Sequence, residues 1–82
     1  RLESAIFASK LTLKTRPIIL NLAEGVAKPT AKDRRKFYSI SFGSLREVQT
    51  LLDLSGNSQA LRTSDSLAAS LYRLIQNPGG SS

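Results

Sequence analysis

The segment Ala31–Leu54 constrains the fold of this chain more than any other. At 100° per residue, Phe37, Ile40, Ser44, Val48 and Leu51 form a central apolar seam, flanked on one side by Tyr38, Phe42, Leu45 and Leu52. Lys32, Arg35, Ser39, Gly43, Arg46 and Thr50 are left for a polar face. Seam and flank together exceed the roughly 100° stripe of an ordinary surface helix. A single neighbouring helix does not cover so much apolar surface. The pattern predicts a helix that is central in a bundle or partly covered by another subunit.

The segment before it, residues 2–27, also reads as helix. Lys10, Lys14, Pro17, Asn21, Glu24 and Lys28 fall on one narrow stripe. Ile18, Ile19, Leu20, Leu22, Ala23 and Val26 occupy the other faces, as suits a helix buried on several sides. Pro17 removes one backbone bond, at a cost of about 3 kcal/mol inside a helix, and predicts a kink or break across Leu13–Arg16. Lying on the polar stripe, it lets water reach the carbonyl it frees. Gly25 sits near the helix end, and Lys28-Pro29 closes it, because the residue before proline avoids helical angles.

Thr30 then has the character of an N-cap, with Asp33 three residues on in a capping-box arrangement. Lys32, Arg34, Arg35 and Lys36 oppose both each other and the positive end of the helix dipole. Local stability supplies no reason for them, which points to exposure or to an anionic partner. Ser55-Gly56-Asn57 ends the second helix. A third runs from about Gln59 to Gln76, with Leu61, Ala68, Leu71, Tyr72 and Ile75 on one face and Leu67 and Leu74 beside it. Its pattern is weakest at Thr63–Ser66, so a later start capped by Ser64 is the alternative. Asn77-Pro78 closes it. The domain is expected over residues 1–77, with 78–82 as a mobile tail.

Charge and residue usage narrow the function. Up to Lys36 the chain holds nine basic and three acidic side chains, and after it three of each. The whole formal excess of +6 therefore precedes Phe37, and a polyanion partner follows as one reading. With no Cys there is neither a disulfide nor a thiolate zinc site, and with no His the commonest general base is missing. No G-x-S-x-G elbow and no phosphate-binding glycine loop occurs. No apolar run reaches the roughly 20 residues of a membrane span, and the basic stretch lacks the interleaved large apolar residues of an interfacial helix. The expectation is a cytoplasmic, non-enzymatic protein with no cofactor, no metal and no membrane partner.

Asn21-Leu22-Ala23-Glu24-Gly25, a short Lys/Pro/Thr hinge, and Phe37-Tyr38-Ser39-Ile40-Ser41-Phe42-Gly43-Ser44-Leu45-Arg46-Glu47 resemble the four-helix-bundle intervening-sequence protein family. Many of its members are encoded in insertions within bacterial large-subunit ribosomal RNA genes. The shared pattern is N-x-A-E-G, a basic loop, then F-x-x-I-A-x-G-S-L-x-E, and it covers residues 16–54 well. The resemblance implies an all-α up-and-down bundle, often a ring-shaped homopentamer, with no established catalysis. More distant relatives of this fold are accessory variability proteins of diversity-generating retroelements, which bind nucleic acid and a reverse transcriptase. Ser41 stands where the family usually has Ala. The family's first helix has no counterpart ahead of residues 1–27. Three helices then leave an apolar groove open, to be completed by residues not included here or by a neighbour.

The candidate residues carry paired readings. Lys28, Lys32, Arg34, Arg35 and Lys36 form either a patch for RNA phosphates or a solvated hinge. Any RNA contact there reads backbone and shape, not bases. Asn21, Glu24, Ser44, Arg46 and Glu47 are assigned to polar contacts between helices or subunits. For Asn21, Glu24 and Glu47 an ion-binding ring on an oligomer axis is the alternative. Gly43-Ser44 is read as a site of close helix approach, with a tolerated surface glycine costing about 1 kcal/mol as the alternative. A hydrolase using Glu24 and Glu47 requires the two carboxylates to converge in a cleft. Self-association with RNA binding is the leading expectation. A protein-interaction adaptor, whose groove receives a partner helix, is the second.

Overall fold

The computed structural model describes residues 2–79. Helix α1 spans Leu2–Ala27, α2 spans Ala31–Ser55 and α3 spans Ser58–Gln76, and no strand occurs among the described residues. The all-α, up-and-down expectation is met. Both α1 and α3 pack on α2, while no Cα of α1 comes within 8 Å of one in α3 among the described residues. The Cα trace measures 49 × 19 × 13 Å. Its width equals two helix-to-helix spacings of about 8–10 Å. The molecule is a three-helix array with α2 at its centre.

The helix limits follow from local chemistry. Thr30 has extended backbone, and its hydroxyl accepts a hydrogen bond from the Asp33 amide at 3.2 Å, which starts α2. Gly56 ends α2 in the left-handed conformation, at φ 75°. Its amide donates to the Asp53 carbonyl and the Asn57 amide donates to the Leu52 carbonyl, the paired bonds of a Schellman motif. The Asn57 side chain then accepts from the Ala60 amide and starts α3. The later start at Ser64 is therefore excluded. Ser64 is buried inside α3, its hydroxyl donating to the Leu61 carbonyl at 2.6 Å.

α1 runs through Pro17 as one helix, so of the expected kink or break the break does not occur. The carbonyl four residues earlier belongs to Leu13, which is 62% exposed. Water can satisfy it without loss of the helix. The Pro17 carbonyl itself accepts from Asn21 Nδ2 at 2.8 Å.

The core comprises Ile18 of α1, Leu45, Val48 and Leu52 of α2, and Ala68 and Leu71 of α3, with Leu11, Leu22, Phe42, Ala60 and Leu61 packed around it. On α2 the buried positions are Ala31, Tyr38, Ser41, Leu45, Val48 and Leu52. Their spacing of 7, 3, 4, 3 and 4 is that of helices packed at a shallow angle. The seam thus lies about one residue round from the expected one. Ile40 is exposed, and Phe37, Ser44 and Leu51 are half-buried. The reason is Ser41, which is fully buried because its hydroxyl donates to the Ile18 carbonyl at 2.8 Å. A reading based on apolar residues passes over a serine, yet this one has its partner.

The close approach is also elsewhere than expected. Gly43 is exposed, and a Cβ built on it meets nothing within 4 Å. At buried Gly25 a Cβ would lie 2.7 Å from Tyr38 Cε1, 2.9 Å from Tyr38 Cδ1 and 3.2 Å from Phe37 Cβ. The missing side chain at Gly25 is what admits the Tyr38 ring, holding the last turns of α1 against the start of α2.

Candidate functional site

Two surfaces stand out, a basic end and an apolar groove. The basic end combines the α1–α2 hinge with the C-terminus of α3, which the up-and-down topology brings alongside it.

Arg34 is half-buried and binds three backbone carbonyls. Nη1 donates to Lys28 O at 2.9 Å, Nε to Pro78 O at 3.1 Å and Nη2 to Gly79 O at 2.6 Å. Arg35 Nε donates to Ile75 O at 2.9 Å. Both guanidinium groups therefore serve the last turn of α3 and the residues after it, where the helix dipole is negative and carbonyls lack helical partners. This corrects the expectation that local stability gives these cations no reason. They oppose the dipole of their own helix and complement that of α3. Pro78, assigned to a mobile tail from sequence, is buried, and its carbonyl and that of Gly79 are held by Arg34. Residues 80–82 of that tail lie outside the described residues.

The lysines are held more loosely. Lys28 Nζ lies 3.5 Å from Glu24 Oε2 and 5.1 Å from the centroid of the Phe37 ring. Lys36 Nζ lies 5.8 Å from the same centroid, so two ammonium groups lie within cation–π range of the Phe37 ring. Lys32 and Lys36 are exposed. At this end, Lys32 and Lys36 are the charges best placed to meet a ligand without disturbing the fold.

The five residues assigned to polar contacts between helices are placed as follows. Asn21 bonds within α1, and Glu24 pairs with Lys28 one turn on. Ser44 is half-buried and Glu47 exposed. Arg46 is exposed, with its guanidinium carbon 6.0 Å from the Phe42 ring centroid. Among the described residues, the side-chain hydrogen bonds that join one helix to another come from Ser41, Arg35 and Gln49, while Arg34 ties α2 to the segments that follow α1 and α3. Gln49 Nε2 donates to Asp65 Oδ1 at 2.7 Å and to Ser64 Oγ at 3.3 Å, linking α2 to α3. The signal for Gln49 was its spacing, one turn from Leu45 and Leu52 on the flank that meets α3. Glu24 and Glu47 are exposed, and no group of three metal-ligating side chains exists among the described residues.

The groove lies between α1 and α3, over α2. Its volume is about 550 Å³. Ile18, Leu45 and Val48 form its floor, Ile19 one wall, and Ala60 and Leu67 the other, with Thr15, Gln59 and Thr63 also lining it. Among the described residues, no charged side chain lines it. The surplus apolar surface expected of α2 is thus only partly on α2, where Leu45 and Leu52 are sealed and Ile40 and Leu54 exposed. More of it is on α1, where Leu2, Ile6, Leu13, Ile19, Leu20 and Val26 are all exposed. Leu2, Ile6, Leu13 and Leu20 share the helix face opposite Ile18 and Leu22. α1 is apolar towards α2 and apolar away from it.

No helix among the described residues is long and apolar enough to cross a membrane. No curated protein and no solved structure matches the chain significantly. A family model described as 23S rRNA-intervening sequence protein matches residues 2–77, which takes in all three helices and the hinge motifs between them. With that match spanning nearly the whole all-helical array, the chain belongs to the 23S rRNA-intervening sequence protein family.

Proposed function

We propose that this protein is a non-catalytic helical scaffold that assembles with copies of itself and holds RNA, or another polyanion, by its phosphates at the basic end. The two-faced character of α1 carries the reading. Ile18 belongs to the core and Leu22 packs against it, while Leu13 and Leu20, on the opposite face, are 62% and 57% exposed. Exposed apolar residues aligned on one helix face in this way suit an interaction surface. One chain offers both a ridge, on α1, and a groove, between α1 and α3. A ridge and a groove on different surfaces make a heterologous contact, which closes into rings when the rotation permits. The homopentamer implied by the family resemblance is one such ring. Lys32 and Lys36, exposed at the hinge, supply the phosphate contacts in this reading, with salt-sensitive and sequence-tolerant affinity.

Native mass spectrometry tests the assembly. A particle several times the 8.9 kDa chain is expected, and a stable monomer at micromolar concentration overturns it. For the second part, Lys32→Glu with Lys36→Glu is expected to abolish binding of an oligouridylate and to leave the particle mass unchanged. Equal affinity of variant and wild type removes the basic end from the proposal.

The uncharged lining of the groove favours a second reading, an adaptor that receives an apolar helix of another protein. A defined partner present in equal amount, with no nucleic-acid absorbance, distinguishes it.

A further inference from the structure

The way Arg34 is occupied bears on how the basic end is regulated, an inference that rests on the polyanion reading above. Nε and Nη2 of an arginine form one edge of the guanidinium, the edge that grips two oxygens of a carboxylate or phosphate at once. In Arg34 that edge is filled by two consecutive backbone carbonyls, Pro78 O at 3.1 Å and Gly79 O at 2.6 Å. We propose that the Pro78–Gly79 turn is an internal competitor for phosphate, a latch that a polyanion must displace to reach the Arg34 fork.

Three observations support the competition. The acceptors in the fork are neutral, and a phosphate offers the same pair of oxygens with negative charge, giving shorter and stronger bonds. The latch is also anchored, since Pro78 is buried. That makes it a brake, because displacement exposes the ring. Finally, Gly79 is in the left-handed region at φ 83°, a conformation that glycine adopts freely and other residues resist. The turn that keeps both carbonyls on one edge of Arg34 therefore depends on this glycine. Nη1, bonded to the Lys28 carbonyl, continues to hold the arginine in place when the other edge is vacated.

The test uses Gly79→Ala in the full chain. A Cβ at this position meets nothing within 4 Å, so the substitution acts only through φ. Fluorescence anisotropy with labelled oligouridylate at low ionic strength is expected to show binding about five- to thirtyfold tighter than wild type, the range corresponding to the left-handed penalty of an alanine. Adding Arg34→Lys, which keeps the charge and loses the fork, is expected to cancel that gain. In wild type the Arg34 Nε–H resonance is expected to shift as the oligonucleotide is added. If wild type and Gly79→Ala bind equally, or the gain survives Arg34→Lys, the latch is overturned and the polyanion reading stands. If neither protein binds, both fall together.

Discussion

The hydroxyl of Ser41 lies 2.8 Å from the carbonyl oxygen of Ile18, and the serine has no exposed surface. This bond pins α2 to α1 at the level of the core. It also explains how a polar residue takes the most buried place on the central helix.

Replacing Ser41 with Ala, the residue usual in the family, removes a buried hydrogen bond. Helical content is expected to stay unchanged, with a stability loss of about 1 kcal/mol, read as a lower urea midpoint at unchanged slope. A rise in the midpoint contradicts the role given to the bond.

The two helical glycines of α1 and α2 are expected to respond with opposite signs. Gly43→Ala faces open space, and it should stabilise the protein by about 1 kcal/mol through helix propensity. Gly25→Ala drives a methyl group into the Tyr38 ring, costing about 1–3 kcal/mol by overpacking. Tyr38→Leu beside Gly25→Ala should recover part of that loss. Thermal unfolding of the four proteins decides it, and equal shifts for the two single variants are incompatible with the geometry.

Arg34 is expected to matter to the fold whatever it binds. Arg34→Ala leaves the Pro78 and Gly79 carbonyls without their donor, and a loss of about 1.5–3 kcal/mol follows for a charged hydrogen-bonding group. Arg34→Lys is expected to restore little, since an ammonium group cannot fork. Lys32→Ala, made at an exposed position, should change stability by less than about 0.5 kcal/mol. Comparable losses at Arg34 and Lys32 in chemical denaturation refute the assignment.

Leu13→Glu and Leu20→Glu place charges on the exposed face of α1. Circular dichroism should stay helical while sedimentation reports a single chain. Retention of the larger particle by both variants moves the self-association surface away from this face.

Much of the architecture was legible from residue pattern. Thr30, Gly56 and the Lys28-Pro29 pair marked their helix ends because capping and proline chemistry are local. The seam of α2 was placed about a residue off because apolar counting passes over Ser41, whose burial depends on a carbonyl 23 positions earlier. Gly25 and Gly43 could not be told apart without knowing which one faces a ring. The role of Arg34 and Arg35 is hidden from the sequence for the same reason. Judged against their own helix they are unfavourable, and only the return of α3 supplies the carbonyls that suit them. Of the candidate basic residues, Lys32 and Lys36 are exposed, while Lys28 is half-buried beside Glu24 and Phe37.

Since no Cα of α1 comes within 8 Å of one in α3 among the described residues, each outer helix is held chiefly by α2. Opening of either edge then leaves the opposite pair intact, so the protein should lose its order from the sides inward. In amide hydrogen exchange the slowest protons are expected around Leu45–Val48, with α1 and α3 exchanging at separate, faster rates. Anything that seats itself across the groove would bridge the two edges and merge those rates into one.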